Sequence, residues 1–483
     1  MAKNQIDIHT SSEATVAVAE EPTTLQTGPF PTLEAHQSSS QRWKKAAALL
    51  AAGGLLTACG GLGTTPGGYK GPFGLREATH LLRRAAGRGT AAEAKRLAEM
   101  GLKRAVDHLL AEPHLPKQKD PGDFVNGGYV YPSEFDYDWT HLWLSTPTPA
   151  AERLTLFWHG HFVTEANKPS AWVTYVKINK LREKSLSSFG DLLYTVAEDA
   201  AMMVYLDNNT STKDHPNENW ARELMELFTL GVGHYTEHDI QEIARAFTGW
   251  GTKRDPVLHN NWVQYFEFHP DDHDPKPKTV FGQRVHRPNR EEWQQEGFDV
   301  LDLILARDQT YRFIAEKLLK YYYRPNPDQQ MINAGADILK RGTVRDFLKW
   351  LFTHPSFYAD ETRNALVKSP FEWVVGLLYA LGWRGIPDTI DPNFDDYTLV
   401  WNWYRKYLGY DPYNPPDVSG WPVASLEWLD DSASLRRLNF IKRAIDDVNK
   451  NRANTHPEPE DFSVFVDGGT DYLSLLAPEA QLL

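Results

Sequence analysis

Apolar residues recur at helical spacing along most of the chain beyond residue 72. From Phe73 to about Leu115, Leu75, Ala78, Leu81 and Leu82 share one face, and 91–100 and 102–110 continue the period. Proline and glycine between Pro113 and Pro132 mark a loop. Thr148-Pro149-Ala150-Ala151-Glu152 has the make-up of a helix start leading into 153–162, and helices are predicted over 177–185 and 189–199. Segment 200–206 is apolar and buried in character, whereas 207–216 is polar and turn-forming and presents the next helix. In that helix Leu224, Leu227 and Phe228 form the apolar stripe; Thr236 then caps a helix over 240–247. At 251–289 the pattern changes to short alternating pieces such as Trp262-Val263-Gln264-Tyr265-Phe266-Glu267-Phe268, which predict a β-hairpin and loops. Helical spacing returns at 291–306, 310–322, 328–341, 343–353 and 369–381, then 388–421 is loop-rich and 423–449 closes with one or two helices. The expected class is mainly α: a single irregular multi-helix domain over 72–456, with a small β-hairpin insertion near 251–289 and a C-terminal tail over 457–483.

Composition narrows the partners. The 483 residues include 16 Trp, 21 Tyr and 22 Phe, which favours a rigid interior or an aromatic-lined cleft over disorder. The formal net charge is -13 and basic residues form no long runs, which excludes nucleic acid as a main partner. No Gly-x-Ser-x-Gly elbow, phosphate-binding loop, dinucleotide fingerprint or Cys-x-x-Cys pair occurs.

The single cysteine, Cys59, ends a basic stretch (Arg42, Lys44, Lys45) followed by a short apolar run, AAALLAAGGLLTAC. That run is too short to span a bilayer as a mature helix. Leu56-Thr57-Ala58-Cys59 resembles a bacterial lipobox, so residues 1–58 are expected to be a leader and lipoprotein signal, with Cys59 the lipidated residue. The alternative is an ordinary signal peptide in which the cysteine is incidental. Segment 59–71, rich in Gly and Thr, is expected to tether the fold. The expectation is an exported protein, periplasmic or at the cell surface, anchored to the membrane through lipid.

Candidate chemistry concentrates in two places. In the helix after Asn217, Glu218, Arg222, Glu223 and Glu226 recur at i, i+4, i+5 and i+8; Glu218 and Arg222 stand one turn apart and can pair. Upstream, Phe157-Trp158-His159-Gly160-His161-Phe162 sets two histidines among aromatics. At i and i+2 they point roughly opposite ways in a helix, but a helix end opened by Gly160 lets both imidazoles converge on one ion. Two His and one or two carboxylates suit a divalent metal such as zinc, iron or manganese. The alternative is a pair of buried histidines hydrogen-bonded to acids of the next helix. Without a metal, Glu223 and Glu226 can act as a general acid and base pair, because neighbouring carboxylates push their proton affinities apart. His273 and Asp274, in the acidic loop FHPDDHDPK, are a weaker ligand pair, equally compatible with a solvated turn. The 414–422 loop, with three prolines, is either a cleft wall or plain packing.

The strings ATHLLRRA (78–85), FWHGHF (157–162), AAMMVYLDN (200–208), NENWARELMELFTLGVGHYTEHDI (217–240), FTGW (247–250), VKSP (367–370) and NPPDVSGWP (414–422) occur in that order. With them the chain resembles the secreted bacterial family known as domain of unknown function 1800. The resemblance implies export, a His-Asp pair followed by a lysine (here His273, Asp274 and Lys276 or Lys278), and a possible partner in another exported protein. Two functions compete. One is an exported metal-dependent hydrolase or oxidoreductase, or a metal-free acid–base enzyme, with His159, His161, Glu218, Glu223 and Glu226 at its centre. The other is a non-catalytic surface lipoprotein that binds a carbohydrate or a partner protein.

Overall fold

The computed structural model describes residues 68–117, 132–254, 264–386 and 408–422, with 428, 436, 437 and 439–441. Cys59, the leader, the tether up to residue 67, nearly all of 423–449 and the 457–483 tail lie outside the described residues. Helices dominate. The first group is α1 (Leu75–Ala86), α2 (Ala91–Met100), α3 (Leu102–Leu109), α4 (Pro132–Ser145), α5 (Pro149–His161), α6 (Ala171–Lys184), α7 (Phe189–Ala197), α8 (Ala200–Tyr205), α9 (Glu218–Glu226) and α10 (Glu237–Ala246). After the β insertion come α11 (Gln295–Leu305), α12 (Asp308–Tyr322), α13 (Gln329–Arg341), α14 (Val344–Thr353) and α15 (Pro370–Ala380).

Many helix starts have a local cause. Thr90, Ser188, Thr236, Thr343 and Ser369 each accept a bond from the backbone three residues on, and an acidic side chain at that third position returns one. Asn217 caps α9 by accepting from the backbone of Asn219 and Trp220.

The insertion holds two separate antiparallel pairs rather than one hairpin. Strands β1 (Trp250–Arg254) and β2 (Gln264–Phe268) pair in the register Trp250 to Phe268. Strands β3 (Lys278–Val280) and β4 (Gln283–Val285) pair in the register Lys278 to Val285. The insertion is docked on the helices by Trp250, whose indole lies against Gly297 of α11. A Cβ at Gly297 would stand 2.4 Å from that ring, so only glycine admits it.

The core is aromatic, with Trp143, Trp158, Trp220, Trp250 and Trp383 fully buried. It also contains charge. Arg153 pairs with Glu372 at 2.7 Å with both side chains buried, and its guanidinium lies over the Tyr321 ring at 4.2 Å. Arg84 donates to the carbonyls of Tyr322 (3.1 Å) and Tyr323 (2.9 Å), satisfying the C-terminus of α12. These two arginines tie α1, α5, α12 and α15 together. Helix α4 was not anticipated. Among the described residues, no helix is long and apolar enough to cross a membrane.

Candidate functional site

Helix α5 does not open at Gly160. Its hydrogen bonding continues until the Phe162 N–H meets the Trp158 carbonyl at 2.8 Å, so His159 and His161 are both helical and diverge. The two imidazoles do not converge on one ion. His159 Nε2 lies 2.7 Å from the Pro412 carbonyl. A carbonyl only accepts, so Nε2 carries the proton and Nδ1 holds the lone pair. That Nδ1 is buried with no hydrogen-bond partner among the described residues, the ring being flanked by Trp139 and Tyr413 at 5.7 and 6.1 Å. Burial, helped by the Lys177 cation, lowers the His159 pKa to about 3.

His161 turns to the other side. Its Nε2–H donates to the Phe228 carbonyl at 3.0 Å, and Nδ1 accepts from Lys317 Nζ at 3.2 Å. Lys317 also donates to the Leu227 carbonyl at 3.0 Å and lies 4.6 Å over the Phe313 ring. Burial and the Lys317 charge hold the His161 pKa well below the ordinary histidine range, and burial lowers Lys317 to about 8. Both His161 nitrogens are therefore committed to the protein, and among the described residues no carboxylate bonds His159 Nδ1. Among the described residues, no three His, Cys, Asp or Glu side chains gather to hold a metal ion. The donor set does not fit the divalent ion expected between these histidines.

The carboxylates of α9 face elsewhere. Glu218, in the first turn, is exposed. Arg222 does not pair with it; it forms a two-pronged bond with Glu237 of α10 at 3.0 and 2.9 Å, on the surface. Such an exposed pair contributes little stability. Glu226 accepts from the Tyr235 hydroxyl at 2.6 Å. Glu223 is half-buried, and burial together with the Glu226 charge raises its pKa.

What these segments do share is the phenol of Tyr205, at the end of α8. Burial and the charges of Glu165, Asp417 and Glu223, in that order, push its pKa up to about 12. Charges from three other chain segments, the loop after α5, the middle of α9 and the 411–422 loop, thus act on this phenol at the end of α8, and they define the Tyr205 face. Lys168 sits at its edge, bonded to the Tyr205 carbonyl and to Asp207, each at 2.8 Å. Asp207 is in the left-handed region at φ 60°, a costly conformation for a non-glycine residue and one found disproportionately at functional sites. In the 411–422 loop, Asp417 accepts from the Ser419 N–H at 2.8 Å and its hydroxyl at 2.5 Å, which lowers the Asp417 pKa. Trp421 follows that turn. Its N–H is fixed on the Asp411 carbonyl at 2.9 Å, its ring lies 4.7 Å from Tyr410, and it is partly exposed.

The second predicted ligand pair is also divided. His273 is buried, with Nδ1 donating to the Thr248 carbonyl at 2.8 Å and Nε2 lying 3.2 Å from Glu296 and 3.3 Å from Lys278. Lys278 pairs with Glu296 and bonds the Asp274 carbonyl. The Asp274 carboxylate turns outward to Arg245 at 2.7 Å. Of the two lysines, Lys278 brings its side chain to His273 and Glu296 while Lys276 bonds Asp274 through its backbone N–H, and the cluster joins β3, α10 and α11. Burial pushes the Glu296 carboxyl up, but its contacts with His273 and Lys278 outweigh this and leave its pKa low.

Glu165, Tyr205 and Asp417 were not among the residues expected at the site. Tyr205 and Asp417 lie inside strings quoted for the resemblance, AAMMVYLDN and NPPDVSGWP. Nothing in either string shows that the two meet. The profile of a family described as "Protein of unknown function (DUF1800)" matches residues 80–476. No curated protein and no solved structure matches the chain.

Proposed function

We propose, for a chain that belongs to the DUF1800 family, that the Tyr205 face is the acid–base centre of an exported hydrolase. One observation carries this reading: two carboxyl groups whose charges both act on the Tyr205 phenol are driven in opposite directions. Burial and Glu226 raise Glu223, while the Ser419 bonds lower Asp417. Divergent proton affinities in neighbouring carboxyls are what general acid–base chemistry requires. Glu223 is assigned as the acid that protonates the leaving oxygen. Asp417, ionised, takes the proton of the attacking water or stabilises the positive charge that develops. Tyr205, on whose phenol both charges act, is assigned to orient the substrate. Hydrolysis with two carboxyls is the usual solution for glycosidic bonds. The partly exposed, hydrogen-bond-fixed Trp421 ring adds an apolar face of the kind on which a sugar packs.

The test is release of reducing ends from soluble oligosaccharides and from isolated cell-wall glycan. Glu223→Gln is expected to bind such glycans as the natural chain does and to lose on the order of a hundredfold or more in turnover, the typical contribution of a positioned acid. Equal release by both proteins would remove Glu223 from the chemistry. A second reading, a non-catalytic glycan-binding lipoprotein, is favoured by the Tyr410–Trp421 stack, and binding without release in the natural chain would select it. In both readings the leader and Cys59 carry the protein out of the cytoplasm and hold it to the membrane.

A further inference from the structure

The FWHGHF string singled out in the sequence takes no direct part in the chemistry above, yet its two histidines are buried and bond to the chain segments that carry Glu223 and Asp417. We propose that His159 and His161 are positioning residues: the last turn of α5 uses each imidazole N–H to fix one carboxylate-bearing segment of the site, and its own continuation supplies a third. The inference rests on the acid–base reading of that face.

The geometry is as follows. His161 donates to the Phe228 carbonyl, five residues after Glu223. The Leu227 and Phe228 N–H groups both return to the Glu223 carbonyl, at 3.0 and 3.1 Å, so fixing Phe228 fixes the turn on which Glu223 stands. His159 donates to the Pro412 carbonyl, five residues before Asp417. Next to it the Ala166 N–H donates to the Tyr413 carbonyl at 2.8 Å, a second tie between the same loop and the chain leaving α5. Glu165 lies on that outgoing stretch, four residues beyond His161. One helix end therefore sets where Glu165, Glu223 and Asp417 stand around Tyr205.

The divergence that defeats a shared metal ion is what this role needs. Positions i and i+2 of a helix reach opposite sides, so two side chains can hold two segments apart at a set distance. Histidine suits the task because its ring packs among aromatics while one N–H reaches a carbonyl, and a neutral ring adds no buried charge. Lys317 completes one arm by bonding both His161 Nδ1 and the Leu227 carbonyl, which fixes the ring's orientation from the other edge. The loop is pressed close to the same turn: a Cβ on Gly420 would lie 2.7 Å from the Gly160 carbonyl.

The experiment uses no substrate. The full chain is labelled with a water-soluble carbodiimide and an amine across about pH 4 to 8, and each carboxyl's labelling midpoint is read by mass spectrometry. Amide hydrogen exchange is followed in parallel. In the natural chain the Glu223 midpoint is expected above that of exposed Glu218. His161→Phe keeps an aromatic ring but no donor, and is expected to bring the Glu223 midpoint down to that of Glu218. His161→Gln, which keeps a donor at similar reach, is expected to restore it. His159→Phe is expected to speed exchange at the Ala166 amide on the order of tenfold, as for loss of one anchoring hydrogen bond, and His159→Gln to reverse this. If both Phe variants fold with unchanged midpoint and protection, the histidines merely fill the core and the inference is overturned. Should a Phe variant not fold, the Gln variant decides: folded with the natural midpoint and protection supports the inference, folded without them overturns it. A Glu223 midpoint equal to that of Glu218 in the natural chain would instead overturn the acid–base reading itself.

Discussion

Replacing Gly420 by alanine tests the packing on which the site depends. Gly420 has φ +85°, and a Cβ there would lie 2.7 Å from the Gly160 carbonyl oxygen and 2.9 Å from Val163 Cγ2. The left-handed backbone alone costs an L-residue roughly 1–2 kcal/mol. Forcing a methyl group against a helix carbonyl and a buried valine adds roughly 1–3 kcal/mol, as overpacking does elsewhere. Gly282 is the internal control: its φ is +75° but a Cβ there would meet nothing within 4 Å, so Gly282→Ala carries the backbone cost without the contact. Denaturant unfolding of both variants at constant slope gives the difference directly. Gly420→Ala is expected to be the less stable of the two by more than about 1 kcal/mol, with faster exchange across 411–422. It should also lose activity, because relief of the clash moves Asp417 away from Tyr205. Equal destabilisation by the two substitutions would refute the reasoning: the 411–422 loop would then not rest on α5 at Gly160.

Three further outcomes are expected. Glu372→Gln leaves Arg153 buried without its counter-charge and should cost about 3–5 kcal/mol in denaturant unfolding; an effect within the error of the measurement would remove this pair from the stability of the core. His159 has a folded pKa of about 3 against an ordinary 6.5, so the unfolded state binds more protons between those values. Its contribution is complete above about pH 6.5 and fades as the pH falls towards 3, on the order of 5 kcal/mol over the whole window. His161 and His80, also lowered by burial, act in the same sense. Melting temperature should thus fall less steeply on acidification in His159→Gln than in the natural chain, and parallel slopes would contradict a neutral buried His159. Finally, Cys59→Ser should move the protein from membrane to soluble fractions, and unchanged sedimentation with membranes would argue against the anchor.

Helical class was legible because its causes are local. Apolar spacing of three and four residues marks α1, α9, α12 and α14, and the Thr-x-x-Asp boxes at Thr236 and Thr343 mark where helices begin. Helix α9 matches closely for the same reason, and the structure adds Asn217 as its cap. Helix α4 was missed although Phe135, Trp139 and Trp143 keep a spacing of four, because the proline at its start reads as the end of a loop. The candidate site was legible only in part. The charged helix and the paired histidines stand out as unusual strings, and the divergence of i and i+2 was already implied if Gly160 stayed helical. What the histidines hold was decided by the tertiary structure. Their partners are backbone carbonyls, Phe228 at 67 residues and Pro412 at 253 residues along the chain. Every residue carries a carbonyl, so no side-chain pattern marks which ones a histidine will meet. The same holds for Glu165, Glu223 and Asp417 around Tyr205. A carboxylate's identity is written in the sequence, but its proton affinity follows from burial and from neighbours that only packing brings near.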